Sequence, residues 1–410
     1  MLRYIRRTKT GTMSFVYFML CFFVFVFNYS STKFIGITAS TWTKLIILSF
    51  IIFSFATILY NGGLLIWSKL IGYYLLFVLF SVFSLASAFC FEDTFIRVKT
   101  MILLFLLLIS VYQYLIDLNC INAFLKAYVF AAMLAAIYLI LVSDLSNRIG
   151  DAVSDANQIG ISLTFASTIA IHFLKKERKI IYLLGIVVMF IAILLTGSRT
   201  AFLLIVAAII CYTLLSAYQR HWPVWRVVLV ISVALILIIL GIYAVFNYEP
   251  LYNILGIRLL SFYQIMHGQQ SVYFESSTQT RMLYIRRAFE WFLDSPIVGH
   301  GLGSFPAYNV TQPLGEYCFS HCDYVEILSG MGIFGIVFFV PFLKFIRCGF
   351  IRGVFEESQS SRILLLVLAV EFLISEVFLV MHYEKEIWFL IPLLIALYES
   401  VSNTDSSVVE

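Results

Sequence analysis

Residues 313–345 read PLGEYCFSHCDYVEILSGMGIFGIVFFVPFLKF, and within them the chain leaves water for lipid. Up to Glu326 the stretch carries acids, a histidine, small polar residues and turn formers. From Ile327 to Leu343 it carries no charge. A membrane crossing needs about 20 mostly apolar residues. Backbone in hydrocarbon must satisfy its own hydrogen bonds, so such a run is a helix. Upstream, from Asn247 to Tyr324, lies the only long stretch that water would tolerate, and His321 stands where it re-enters the membrane.

The same apolar character fills the rest of the chain. Hydrophobic residues make up 62% and charged ones 12%, against roughly half and a quarter in a soluble domain. No soluble core needs that excess. The predicted fold class is therefore all-α, a polytopic transmembrane helical bundle. Candidate spans fall near 13–29, 43–60, 71–90, 101–117, 123–143, 158–174, 180–196, 201–217, 227–247, 325–345, 363–381 and 387–400, about twelve in all. The division that follows is spans one to nine over 1–247, one large loop over 248–324, spans ten to twelve over 325–400 and a short tail over 401–410. The N-terminal Arg3, Arg6, Arg7 and Lys9 before an apolar run resemble a signal peptide, but no small-residue cleavage pattern follows, so the run is read as a retained span.

The net charge of +4 is small and spread over the loops. It is a topology signal rather than a nucleic-acid footprint. With the N-terminus inside, the inner segments hold the Arg3–Lys9 cluster, Lys69, KKERK at 175–179, Arg220, Arg226, Lys344, Arg347, Arg352 and Arg362. The outer segments hold Lys33, the mixed EDTFIRVK at 92–99 and the acidic 144–155 loop. Both termini are then cytoplasmic and the large loop lies on the far side, which in a bacterial inner membrane is the periplasm.

Inside that loop, TRMLYIRRAFEWFLDSP at 280–296 has helical spacing at Met282, Leu283, Ile285, Phe289 and Phe292. Thr280 can cap its start and Pro296 ends it. VGHGLGSFPAYN at 298–309 is turn-rich and must be irregular.

Four places on the predicted outer face combine charge with special backbone. In TGSRTAF at 196–202, Arg199 sits in a tight link between two spans, where a guanidinium is costly unless paired or facing a wet cavity. It is either an interface anchor or an anion-binding arginine helped by Ser198 and Thr200. On the loop helix, Arg281, Arg286 and Arg287 cannot all share one stripe. Arg281 is favoured for anion binding because it opens the predicted helix, where free N–H groups also attract anions. In GHGLGSF, the glycines at 299, 301 and 303 permit close approach to a ligand, while His300, with no evident partner, reads as a bystander. In HCDYVEILSGMGIFG, the small residues Gly330, Gly332 and Gly335 allow close helix approach and fix the helix end that bears His321. Histidine, titrating near neutrality, is the usual general base for a hydroxyl.

Cys318, His321 and Cys322 offer three metal ligands, but a zinc site wants a fourth or a supporting shell, so no metal is expected. A Cys318–Cys322 disulfide would strain a helical turn. Cys21 and Cys211 in apolar runs, and Cys90, Cys120 and Cys348 near span ends, read as buried small hydrophobes. Glu371 and Glu376 in the eleventh span are candidates for pairing or proton handling.

Several of these motifs together carry a family likeness. A histidine followed at +11 and +14 by glycines, the SRTA link, the arginine-bearing helix with SPIVGHGLGSF, and DANQIG at 155–160 resemble the O-antigen polymerase and O-antigen ligase superfamily. The likeness covers roughly 145–345. It departs from the commonest pattern at Cys322, where a hydrogen-bonding side chain is usual. The resemblance implies a GT-C-like, metal-independent, inverting glycosyltransferase that needs no cofactor. Its donor would be an oligosaccharide on undecaprenyl diphosphate, and a chain-length regulator is a further partner. It implies that Arg199, Arg281 and Arg287 bind the diphosphate, that His321 is the base, and that Ser198, Gly301, Gly303, Gly332 and Gly335 support the site. Polymerase, with lipopolysaccharide biosynthesis as its setting, is favoured over ligase on DANQIG, GSRTA and GHGLGSF. A flippase is the reading from another class, but it should carry charge at midplane in interrupted helices, and here most charge lies at the rim.

Overall fold

Runs of Leu, Ile, Val and Phe have one way to hide their peptide groups from lipid, and the chain takes it almost throughout. A computed structural model describes residues 33–34, 37–60, 65–115, 118–142, 156–219, 222–257, 259–260, 275–351 and 360–406. The predicted first span at 13–29, the Arg3–Lys9 cluster, Arg220, the 144–155 loop and Arg352 lie outside them. Two short strands, β1 (Lys33–Phe34) and β2 (Ile37–Thr38), pair antiparallel. The long helices that follow are α1 (Ala39–Tyr60), α2 (Lys69–Phe83), α3 (Phe91–Tyr112), α4 (Leu118–Val142), α5 (Ala156–Glu177), α6 (Ile180–Thr196), α7 (Arg199–Gln219) and α8 (Val224–Asn247). The loop carries α9 (Glu275–Asp294) and α10 (Phe305–Val310). The chain then returns through α11 (Asp323–Met331), a 3-10 segment (Gly332–Phe339) and α12 (Val340–Ile351), and ends with α13 (Ser360–Ser375) and α14 (Lys385–Ser406).

The fold is all-α apart from the two short strands, and multi-pass. Among the described residues five segments are long and apolar enough to cross a membrane: Lys69–Ser87, Phe91–Tyr112, Cys120–Leu141, Arg199–Tyr218 and Asp323–Phe350. Lys44–Ala56 and Ile180–Thr196 are shorter apolar helices. Aromatic packing fills the middle of the bundle. Phe342 and Phe372 stack with centroids 4.0 Å apart, and Tyr74, Phe338 and Trp388 meet beside them.

The contacts sort the connections into two ends. At one, Lys126 and Lys179 pair with Glu177 at 2.5 and 2.9 Å, Gln113 accepts from the Ile66 backbone, and Tyr112 donates to Glu399. At the other, the Phe89 N–H donates to the His300 carbonyl at 2.8 Å, and Gln158 donates to Glu386 at 3.4 Å. The loop helices belong to this second end.

Several predicted boundaries move. EDTFIRVK is not a loop but the first turns of α3, its acids Glu92 and Asp93 suited to a helix N-terminus. The loop helix starts at Glu275, so Thr280 lies inside it and caps nothing, and Arg281 does not open the helix. The described part of the tail continues α14 to Ser406. The span expected over 325–345 is broken at Gly332, which has φ 61° and ψ −155°, a conformation open essentially to glycine alone. A side chain there would collide with the Ile297 and Pro296 carbonyls, and the next N–H, from Ile333, donates to Pro296 O at 2.9 Å. The break is where the glycine-rich loop docks.

Candidate functional site

His321 precedes α11 in a left-handed conformation, φ 65°, which costs an L-residue of order 1 kcal/mol. Its neighbours hold it there. The Ser320 N–H donates to Glu326 at 2.8 Å, Ser320 Oγ donates to the Cys322 carbonyl at 2.9 Å, and the Asp323 N–H donates to Glu376 O at 2.8 Å. The imidazole is half-buried. Cys318 Sγ lies 3.4 Å from its Nε2, and the Tyr284 ring of α9 runs parallel to it with centroids 6.5 Å apart. Arg281 lies one turn before Tyr284, and its charge reaches the Cys318 thiol. Among the described residues no hydrogen bond or ion pair holds the Arg281 guanidinium. Arg281 and His321 thus share Cys318 as a neighbour.

Burial pushes the Cys318 thiol up, with Glu326 adding to the effect and Arg281 opposing it; burial likewise raises Cys322. Both cysteines are free thiols. Among the described residues no three His, Cys, Asp or Glu side chains converge as a ligand set. Because the thiolate is the reactive form, Cys318 should alkylate slowly at pH 7. Its rate should rise about tenfold per pH unit to beyond pH 9. Peptide mass spectrometry after maleimide treatment checks this, and fast, pH-independent labelling would contradict it.

The other loop arginines are engaged within the loop. Arg286 pairs with Glu290 at 2.7 Å on the exposed face. Arg287 donates to Asn309 Oδ1 at 3.1 Å and to the Pro313 carbonyl, and Asn309 in turn donates to the Glu316 carbonyl at 2.8 Å. Arg287 therefore fastens the 309–316 segment that leads to Cys318. The glycine-rich stretch also approaches protein rather than leaving room for a ligand. A side chain on Gly299 would strike the Gly330 backbone, one on Gly301 would meet Ala88 and Thr94, and one on Gly303 would overlap Arg97. Gly335 packs on Ile327. His300 is a structural residue: its ring stacks on Trp291 at 4.5 Å and bonds the Trp291 carbonyl at 2.9 Å.

Around the same 318–323 segment lies a further set of residues that the sequence did not single out. Asp323, fully buried, accepts from the His382 backbone N–H at 2.9 Å and pairs with the His382 ring at Nδ1. Trp388 Nε1 donates to the His382 carbonyl at 2.5 Å. The Arg97 guanidinium lies 3.8 Å from the Tyr383 ring centre and 4.7 Å from that of Phe319. Next to Tyr383, Glu384 is raised to about 7, by burial first and then by Glu386, with Lys385, Gln158 and Arg97 opposing. Of the two acids noted in the eleventh span, Glu371 accepts from Thr168 at 2.6 Å inside the bundle, while Glu376 ends α13 beside Asp323.

Arg199 reaches this end through α5. Gly160 lies so close to Ala201, Thr196 and Ser198 that a side chain there would clash, which sets the α6–α7 link against the first turn of α5. Ser198, buried, caps α7 by accepting from the Ala201 N–H at 3.3 Å. From that turn Gln158 reaches Glu386, and Glu384, Tyr383, Arg97 and Phe319 complete a path of neighbours to Cys318 and His321.

A family model described as O-antigen ligase matches residues 184–340. Over those residues the chain is similar to that family, which supports the superfamily resemblance. A comparison with curated proteins found no match. The matched segment runs from within α6 to the start of α12 and so contains Arg199, Arg281, Arg287 and His321. It leaves out Arg97, Gln158, His382 and Glu384.

Proposed function

We propose that the chain is a glycosyltransferase of the bacterial inner membrane that joins undecaprenyl-diphosphate-linked repeat units at the periplasmic face, an O-antigen polymerase. The observation that carries the reading is the convergence of His321 and Arg281 beside Cys318. In this reading His321 takes the proton from an acceptor sugar hydroxyl. That oxygen bonds to the anomeric carbon from the face opposite the diphosphate. The bond from the anomeric carbon to the diphosphate oxygen breaks, and its electron pair leaves with the lipid diphosphate. Inversion follows from the single displacement. Arg281 and Arg199 bind the diphosphate and stabilise its growing charge, for which a planar, permanently charged donor fork is suited. Arg287 acts by fastening the segment that carries Cys318 and His321, and the glycines at 301, 303, 332 and 335 by docking the loop. The division into spans one to nine, loop, spans ten to twelve and tail, the GT-C-like class and both termini in the cytoplasm belong to the same proposal. The basic residues collected at the end opposite the loop, Lys126, Lys176 and Lys179 among them, favour that orientation.

A second reading, ligation of the finished glycan onto lipid A–core, is favoured by the description of the matched family. Purified protein in nanodiscs separates the two. Given lipid-linked repeat units alone, a polymerase lengthens them, whereas a ligase forms product only once lipid A–core is added. No transfer with either acceptor would remove both readings. In the productive assay, Arg281→Ala and Arg199→Ala should each lower kcat/KM by about 10²-fold or more, while the lysine variants keep part of the activity. Full activity in the alanine variants would remove the diphosphate role.

A further inference from the structure

We propose that Arg97 is an additional oxyanion-binding residue of this site, taking a phosphoryl group beside the 318–323 segment. Arg97 lies in the second turn of α3, a helix apolar and long enough to cross a membrane. An arginine in a span is costly unless it is paired or faces a wet cavity. Acids do occur nearby, but among the described residues no hydrogen bond or ion pair engages this guanidinium. Its flat faces are occupied instead. Tyr383 lies over it at 3.8 Å and Phe319 at 4.7 Å, and its stem packs against Gly303, where any side chain would collide with it. Contacts of this kind fix a guanidinium through its π faces and leave the N–H edge unspent. The entropy cost of ordering the side chain is already met, and its donors await a partner.

The position favours a ligand over a structural partner. Phe319 adjoins Cys318, which contacts His321, so an anion on Arg97 would lie beside the segment that carries the proposed base. Glu384 feels the charge of Arg97, and Asp93 shares Tyr317 with it, but neither acid forms a salt bridge with the guanidinium among the described residues. Arg281, whose charge reaches Cys318, and Arg97, stacked on Phe319, each bring to the segment a guanidinium that no hydrogen bond or ion pair engages among the described residues. A diphosphate offers two phosphoryl groups for two such residues. The same chemistry could come from the phosphate of an anionic lipid headgroup.

This inference rests on the glycosyl-transfer reading for its meaning, but its test does not use turnover. Full-length protein is placed in nanodiscs of phosphatidylcholine and titrated with inorganic pyrophosphate by calorimetry. The same titration is repeated in discs containing phosphatidylglycerol. Arg97→Gln should weaken pyrophosphate binding about tenfold or more, and Arg97→Lys should fall between it and the parent. Loss in phosphatidylcholine discs assigns the site to a diphosphate. If the variant's defect is instead reduced retention of phosphatidylglycerol, read by native mass spectrometry, the site belongs to a lipid headgroup. Arg97→Lys keeps charge and stem, so it covers the case in which the glutamine variant misfolds. Unchanged pyrophosphate affinity and unchanged lipid retention in a folded variant overturn the proposal. Loss of activity in His321 variants with pyrophosphate binding intact leaves it standing, so the two failures are distinguishable.

Discussion

His321→Ala is expected to lower glycosyl transfer by about 10²–10⁴-fold while the protein still folds. The imidazole is only half-buried, and the neighbours that define its surroundings, Tyr284 and Cys318, are held by other contacts. Its backbone is the sensitive part, because φ is 65°. Alanine is mildly strained there, whereas asparagine tolerates the left-handed region. His321→Asn is thus the cleaner control: the same loss of rate with less loss of stability. In the parent bacterium the polymerase reading gives lipopolysaccharide carrying a single repeat unit, and the ligase reading gives core with no repeat attached. A normal ladder on the gel would end the catalytic assignment. Glu384, near 7, titrates in the range where an imidazole base does. A carboxyl raised by burial gains its charge above that value, so a fall in rate on the acid side has two candidate sources. If His321 is the base, Glu384→Gln keeps the acid limb.

What could be read in the chain follows from how far apart the partners lie. Spans such as 180–196 match α6 residue for residue, because apolar length alone defines them. Arg281 and His321 stand out as candidates because both sit in the one polar stretch. Arg97 does not. EDTFIRVK has the mixed charge of a solvated loop, and only folding sets its arginine between Phe319 and Tyr383, far along the chain. The Asp323–His382 pair joins residues on α11 and on the link between α13 and α14, and neither carries a local motif. The glycines were noticed for the right reason, close approach, but assigned the wrong neighbour. They admit the Gly330 backbone, Ala88 and Arg97, where a ligand had been expected. Periodicity marks which face of a helix is buried; it does not say against what.

The second large effect concerns Asp323, two residues beyond His321. Its carboxylate is fully buried and accepts from both the backbone and the ring of His382, itself buried. Asp323→Ala would leave both donors without an acceptor in a site that water does not reach. Removing one member of a buried charged pair costs about 3–5 kcal/mol, and a neutral pair would cost about 1–3 kcal/mol for each stranded group. Either way the loss falls among the largest that a single substitution produces. Asp323→Asn is the informative comparison. Its amide oxygen can still accept the His382 N–H, and its amide nitrogen can donate to the ring once the imidazole proton moves to Nε2. The asparagine variant should therefore lose about 1 kcal/mol, and thermal unfolding in one detergent should rank parent, Asn and Ala in that order. The consequence reaches the site. Among the contacts that hold the strained conformation of His321 is the pinning of the start of α11, through Asp323, to the link that carries Tyr383 and Glu384. Freed from that anchor, the histidine should relax from its left-handed geometry, and kcat should fall further than KM rises. Equal melting of parent and alanine variant would show that the pair is not what holds this end together, and the strain at His321 would then need another support.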